Sequence, residues 1–162
     1  MLIALLVAGC DSAADRPPPA FTPAPTPTPA PTLPIQATAA DLQVCVETTN
    51  QLRAQVGQTL ATQSAALEVF AATGARDDAI SGVPHSHFTS TNGGGVAFAE
   101  NEVLRWPFGG LDTVQDTIRH AIALFFGEGP GGPHYQNLTS YSMLGCGVYI
   151  DGRAITVVQD FR

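Results

Sequence analysis

The stretch Leu144-Gly145-Cys146-Gly147-Val148-Tyr149-Ile150-Asp151-Gly152-Arg153-Ala154-Ile155-Thr156-Val157-Val158-Gln159-Asp160-Phe161 carries the clearest strand signal in the sequence. Ser142 to Ile150 and Arg153 to Phe161 flank Asp151-Gly152, a dipeptide that favours a two-residue hairpin turn with both central residues at positive φ. That turn predicts the register: Ile150 opposite Arg153, Val148 opposite Ile155 and Cys146 opposite Val157. Leu144, Cys146, Val148 and Ile150 then share the core face, because side chains alternate across a strand. Gly145 and Gly147 share the other face. Glycines there let a helix or a ligand approach the sheet closely, and helix packing is the simpler reading.

Upstream, three helical periodicities precede the hairpin. Thr38 and Asp41 are spaced like a capping box, and Leu42, Cys45, Thr49, Leu52 and Val56 follow at helical intervals, which predicts a helix over 39–56. A second runs from Ser64 to Ala72, with Leu67, Phe70 and Ala71 on one face and Gly74 as its stop. A third begins near Thr113. There Val114, Ile118, Ala121 and Phe125 form a stripe that ends in the glycine-rich loop 127–133, leaving Glu128 at the loop's mouth. A short apolar strand is expected at 96–98 after the turn Gly93-Gly94-Gly95. Helices, a strand, a further helix and a terminal hairpin together predict an α+β fold in layers around an antiparallel sheet.

The N-terminal part is of a different kind. Leu2 to Ala8 is an apolar run far shorter than the roughly 20 residues that span a bilayer, and it leads through small residues into Cys10. Val7-Ala8-Gly9-Cys10 resembles the lipobox of bacterial lipoproteins, which implies a signal peptide over 1–9 and a lipidated Cys10 as membrane anchor. No basic residue precedes the apolar run, a departure from the usual leader for which a start further upstream is one reading; an ordinary secretory leader with a chance cysteine is the alternative to the lipobox. From Arg16 to Pro34 the chain is almost entirely Pro, Ala and Thr, a composition that favours extended polyproline II, so residues 10–37 read as a stalk. The folded domain is expected over 38–162. Formal net charge is −7 and all seven basic residues are Arg. No basic stripe is present to neutralise phosphates, and nucleic acid is not an expected partner.

The chemistry sits in a few places. The sequence has four histidines and five glutamates, and several of them fall at the ends of elements. Pro84-His85-Ser86-His87-Phe88, Ala99-Glu100-Asn101, Phe125-x-x-Glu128 and Pro133-His134-Tyr135-x-Asn137 occur in that order, before Leu144-Gly145-Cys146-Gly147-Val148 and Val158-Gln159-Asp160-Phe161. This order resembles the CAP superfamily (cysteine-rich secretory proteins, antigen 5 and PR-1) across roughly Asp41 to Arg162. Ala99 stands where that family usually has glycine, and Phe125 where it usually has tryptophan. The resemblance implies an α-β-α sandwich with a His-Glu-Glu-His cavity, mapped here onto His87 or His85, Glu100, Glu128 and His134; His87 is preferred to His85.

Two imidazoles and two carboxylates in one cleft suit a divalent cation such as zinc, with Glu100 and Glu128 as ligands or as groups that orient the imidazoles. The same set suits acid–base catalysis by Glu100 and Glu128. A plainer reading makes both glutamates structural and has His134 cap a helix. The sequence lacks a His-Glu-x-x-His helix, a Gly-x-Ser-x-Gly elbow and a phosphate-cradling loop, so a binding module for a metal, a small polar ligand or a lipid is preferred. A hydrolase acting on peptide or envelope polymer is the alternative, and a structural or adhesive lipoprotein a third reading. His120 is expected at the surface and Trp106 in packing. With Cys10 lipidated, Cys45 and Cys146 remain, and outside the cytoplasm two core-directed thiols are expected to pair; two reduced buried cysteines are the alternative. The expected location is the bacterial envelope, facing the periplasm or exterior.

Overall fold

Thr38 begins the first helix in the way its spacing predicts. In the computed structural model, which describes residues 37–107 and 112–162, Thr38 Oγ1 accepts from the Asp41 N–H and Asp41 Oδ2 accepts from the Thr38 N–H at 2.9 Å. This reciprocal cap starts helix α1 (Ala39–Gln55). The leader, Cys10, the stalk up to residue 36, and Gly109 and Gly110 lie outside the described residues. A two-residue strand β1 (Thr62–Gln63) follows, then helix α2 (Ala65–Ser81), a short helix α3 (Ser86–Thr91), strand β2 (Ala99–Pro107) and helix α4 (Val114–Gly127). Helix α5 (Pro133–Ser140) and the hairpin β3 (Met143–Asp151) and β4 (Ala154–Phe161) complete the fold.

The strands form one sheet in the order β1-β3-β4-β2. β4 runs antiparallel to both neighbours, whereas β1 runs parallel to β3, so the sheet is mixed rather than purely antiparallel. Helix α2 covers one face. Helices α1, α4 and α5 cover the other, over a core that includes Val44, Ile118, Ile122, Phe125, Leu138, Ile150, Ile155 and Phe161. The α+β architecture and the three layers agree with the sequence reading.

Three local expectations need correction. The hairpin turn is Gly152-Arg153 rather than Asp151-Gly152, so Ile150 lies opposite Ile155, Val148 opposite Val157 and Cys146 opposite Gln159. Gly152 takes the positive φ (59°) that the first turn position demands, while Asp151 remains in the ladder. Because the register moves by an even number of residues, each side chain stays on its expected face. Helix α2 does not stop at Gly74. Its buried stripe of Leu67, Ala71, Gly74, Ala75, Asp78 and Ala79 continues past it, and the helix ends at Gly82 (φ 71°).

The strand expected at 96–98 begins only at Ala99. Asn92, Gly93, Gly94 and Gly95 all have positive φ and form a tight left-handed turn that delays the extended backbone. Helices α3 and α5 and strand β1 had no counterpart in the sequence reading. α5 is short and begins with Pro133 at its first turn, where a missing N–H costs nothing.

The glycine face of β3 is used for packing. A Cβ at Gly145 would fall within the backbone of Leu67 and Glu68, and one at Gly147 within that of Ala71 and Ala72. Helix α2 therefore lies directly on the sheet. On the opposite face Cys45 of α1 and Cys146 of β3 form a disulfide with Cα atoms 6.4 Å apart and a sequence separation of 101.

Candidate functional site

Helix α2 ends at Gly82, and Pro84 then leads into His85, which adopts a left-handed backbone (φ 57°) immediately before α3. A non-glycine residue rarely holds that conformation without support. Here β2 supplies it. Glu102 Oε2 accepts the His85 backbone N–H at 2.6 Å, and Glu100 Oε1 meets His85 Nδ1 at 2.7 Å. Glu100 and Glu102 are two apart on one strand and so project from the same face, towards α2.

The second pair lies where α4 gives way to α5. Glu128 follows the last residue of α4, and its Oε2 accepts the His134 backbone N–H at 3.1 Å. Its Oε1 meets His134 Nδ1 at 2.5 Å, while the imidazole stacks against Phe125 with centroids 5.0 Å apart. The glutamate thus caps α5, the reverse of the plain reading in which His134 is the cap.

His85, Phe88, Thr89, Glu100, Pro133, His134 and Asn137 line one open cleft of about 380 Å³. The structure therefore brings His85 rather than His87 to the cleft. His87 stands two positions further on, inside α3, which turns it back towards α2. Its N–H donates to Asp78 Oδ1 at 2.8 Å, its Nδ1 lies 3.4 Å from Asp77 Oδ2, and its ring packs on Phe70. His120 is exposed, edge-on to a half-buried Trp106 in a separate hollow.

A buried amide network fixes the two sides of the cleft. Asn137 donates to the Glu100 carbonyl at 3.2 Å and to Asn101 Oδ1 at 2.9 Å. Asn101 in turn donates to the His134 carbonyl at 3.1 Å and to Gln159 Oε1 at 3.4 Å. Gln159 then donates to Thr49 Oγ1 at 2.7 Å, which ties the site to α1. Asn101, Gln159 and Thr49 are fully buried, and their donors and acceptors satisfy one another, as buried amides must.

The two glutamates sit in contrasting environments. Burial raises the Glu100 carboxyl above its ordinary range, and the hydrogen bond from His85 only partly offsets this. The exposed Glu128 is held below its ordinary range, chiefly by the hydrogen bond from His134. The hydrogen bond to Glu100 raises the His85 imidazole.

Three acidic residues escaped the sequence reading. Glu102 is buried and pushed up to about 7 by loss of solvent. Asp78 and Asp160 are fully buried. A signal existed for Glu102, because its spacing from Glu100 places both on one strand face. For Asp160 it required the β2–β4 pairing, which puts Asp160 directly opposite Glu100. Glu100, Glu102 and His85 each offer an atom within 4.8 Å of the others, a group able to hold a metal ion.

The profile of the cysteine-rich secretory protein family matches residues 46–161. The chain belongs to the CAP family. Among solved structures this CAP domain is similar to an outer surface protein of Borrelia burgdorferi, at 13% identity and a TM-score of 0.54, covering 80% of this chain and 96% of that one. It is also similar to the hookworm platelet inhibitor, at 14% identity and a TM-score of 0.51, covering 81% of this chain and 73% of that one. At such identities the likeness concerns the fold. No curated protein matches the sequence.

Proposed function

We propose that this CAP domain is an extracytoplasmic binding module, held at the bacterial envelope through a lipidated Cys10, whose cleft binds a divalent cation such as zinc through His85 and His134. One observation carries the reading: both cleft histidines have Nδ1 engaged by a glutamate, Glu100 for His85 and Glu128 for His134. A carboxylate accepts, so Nδ1 carries the proton and Nε2 keeps the lone pair that a metal requires. Zinc-binding histidines are commonly held in this way, with the carboxylate fixing tautomer and ring orientation. Two imidazole ligands leave coordination positions for water or a ligand group, and the bound ion would supply Lewis acidity there. Phe88, Thr89 and Asn137 would shape what else enters. The disulfide, which belongs in an oxidising compartment, supports the location.

Isothermal titration of the purified protein with Zn²⁺ near neutral pH tests the reading. One equivalent should bind, and His134→Ala and His85→Ala should each abolish binding while His87→Ala retains it. Binding that survives both cleft substitutions would discard the site.

A hydrolase is the second reading, favoured by the opposite shifts of Glu100 and Glu128. Carboxylates whose environments push them apart are suited to acid and base roles. It requires turnover of a peptide or envelope polymer that Glu100→Gln abolishes while zinc binding persists.

A further inference from the structure

Strand β2 carries one residue too many beside β4. Val103 lies opposite Val157 and Trp106 opposite Ile155, so Leu104 and Arg105 together face Thr156 alone, a β-bulge. Arg105 absorbs it with a left-handed backbone (φ 50°), a conformation that a non-glycine residue rarely holds without support. Two bonds hold it there: its N–H donates to Thr156 Oγ1 at 3.0 Å, and its Nη1 donates to the Ala79 carbonyl at 3.0 Å. Without the extra residue, Arg105 would stand opposite Ile155 and Trp106 opposite Ala154, on the α2 face of the sheet. The bulge turns the indole to the α4 face instead, where it meets His120 edge-on with ring centroids 5.6 Å apart.

Trp106, Pro107, Asp112, Asp116, Thr117 and His120 line a hollow of about 350 Å³ that shares no residue with the His85–His134 cleft. That volume suits a small organic ligand rather than a bare ion. Trp106, the sole tryptophan of the chain, is only half buried, and Asp112 and His120 are exposed, so the lining is open to an incoming molecule. Its polar groups are of both kinds: the indole N–H donates, the carboxylates accept, and an imidazole does either. Asp116 is held in place as an acceptor. Its Oδ2 takes the Thr113 N–H at 3.3 Å and the Thr113 hydroxyl at 2.7 Å in the cap of α4, and its Oδ1 takes Arg119 Nη1 at 3.0 Å.

We infer that this hollow is a carbohydrate subsite, which takes one neutral pyranoside of a glycan chain. A sugar ring presents an apolar C–H face rimmed by hydroxyls, each of them both donor and acceptor. The indole offers the matching flat apolar surface with a single N–H at its edge. Asp112 and Asp116 accept hydroxyl protons, and His120 completes the set as donor or acceptor. A cationic ligand fits less well, because Asp116 is already paired with Arg119 and the indole N–H would face a group with nothing to accept it. An apolar ligand would strip water from two carboxylates and give nothing in return. A strained bulge that re-aims one aromatic side chain is also what sheets use beside binding sites. The inference is independent of the cation assigned to the cleft.

Because Trp106 is the sole tryptophan, its fluorescence reports on the hollow directly. The full-length protein, in a chelator, is titrated with the trisaccharides of glucose, mannose and N-acetylglucosamine, each to about 10 mM, which fills even a millimolar site. At least one should give a saturable change in emission and a matching heat in calorimetry. Asp112→Ala should weaken that binding roughly tenfold and Trp106→Ala should abolish the heat, while both variants keep the zinc response of the cleft. If Trp106→Ala fails to fold, Asp112→Ala and His120→Ala carry the test. No response to any of the three sugars would overturn the inference. A response to N-acetyl-argininamide in their place would also overturn it and identify the hollow as a site for basic peptide. Sugar binding that Asp112→Ala and His120→Ala both leave intact would place the glycan elsewhere and equally overturn it.

Discussion

Asn137 on α5 donates to the side-chain oxygen of Asn101 on β2 at 2.9 Å, and through this bond the His134 side of the cleft is held against the Glu100 side. Asn101 answers by donating to the His134 carbonyl, and Asn137 by donating to the Glu100 carbonyl. Each amide thus holds the backbone of the cleft residue on the other element.

Asn137→Ala should therefore destabilise the fold by about 1–3 kcal/mol, the cost of leaving a buried acceptor unpaired. It should also weaken zinc binding although no ligand is changed. Urea denaturation and zinc titration of Asn137→Ala, Asn101→Ala and the double variant measure this. A coupling energy of about 0.5–3 kcal/mol is expected, and additive losses would show that the two amides act independently.

The contact of α2 with the sheet supplies a sharper prediction. A methyl group at Gly147 would occupy the backbone of Ala71, so Gly147→Ala must push α2 away from β3 or bend the strand. A loss of roughly 3 kcal/mol or more is expected. Gly131→Ala, where nothing lies within 4 Å, is the matched control and should change the thermal midpoint little.

The three-layer fold was legible because its main elements announce themselves locally. Thr38 and Asp41, the apolar stripe that starts near Thr113, and the alternating hairpin residues each act within a few positions of themselves. Legibility failed where a residue's meaning depends on a distant partner. Gly74 resembles a helix stop until the buried stripe continuing to Asp78 and Ala79 is set against the sheet beneath. His85 and His87 are indistinguishable by spacing, and only the left-handed backbone of His85, held by Glu102, turns it into the cleft. Asp160 reads as an ordinary terminal aspartate unless the β2–β4 register is known.

The Cys45–Cys146 disulfide closes a loop with a separation of 101 residues between α1 and β3. Constraining the unfolded chain over a loop of this length stabilises the fold by up to about 4.7 kcal/mol in the chain-entropy treatment. The Cys45→Ala, Cys146→Ala double variant should lose about 2–5 kcal/mol in urea denaturation. Zinc binding should persist at temperatures where the variant stays folded, because neither cysteine touches the cleft.

If Cys10 carries lipid, Cys10→Ser should move the protein from the membrane fraction to the soluble fraction and abolish incorporation of labelled fatty acid. The domain's disulfide and zinc response should be unaffected. A Cys10→Ser protein that remains with membranes would show that another feature tethers it.

The acidic layer beneath the cleft predicts how stability responds to pH. Burial pushes the Asp160 carboxyl up to about 9, with Glu100, Asp78 and Glu102 adding repulsion, and pushes Glu102 up to about 7. His85 and His87 border the same cluster. Between the ordinary carboxylate pKa near 4 and these raised values, the folded state keeps protons that the unfolded chain has released, so stability falls as pH rises. The raised imidazole of His85 acts in the same direction, since its stabilisation is present at low pH and lost as it deprotonates. In a chelator, the thermal midpoint should therefore decline from about pH 5 to about pH 9, by roughly 5 °C per pH unit for each proton involved. Above about pH 8, where Glu102 has largely ionised, the remaining slope belongs to Asp160, and Asp160→Asn should flatten it. Melting curves at pH 5, 7 and 9 in the chelator decide the matter: a midpoint that rises with pH would mean that these carboxylates are ionised and paired in the folded protein.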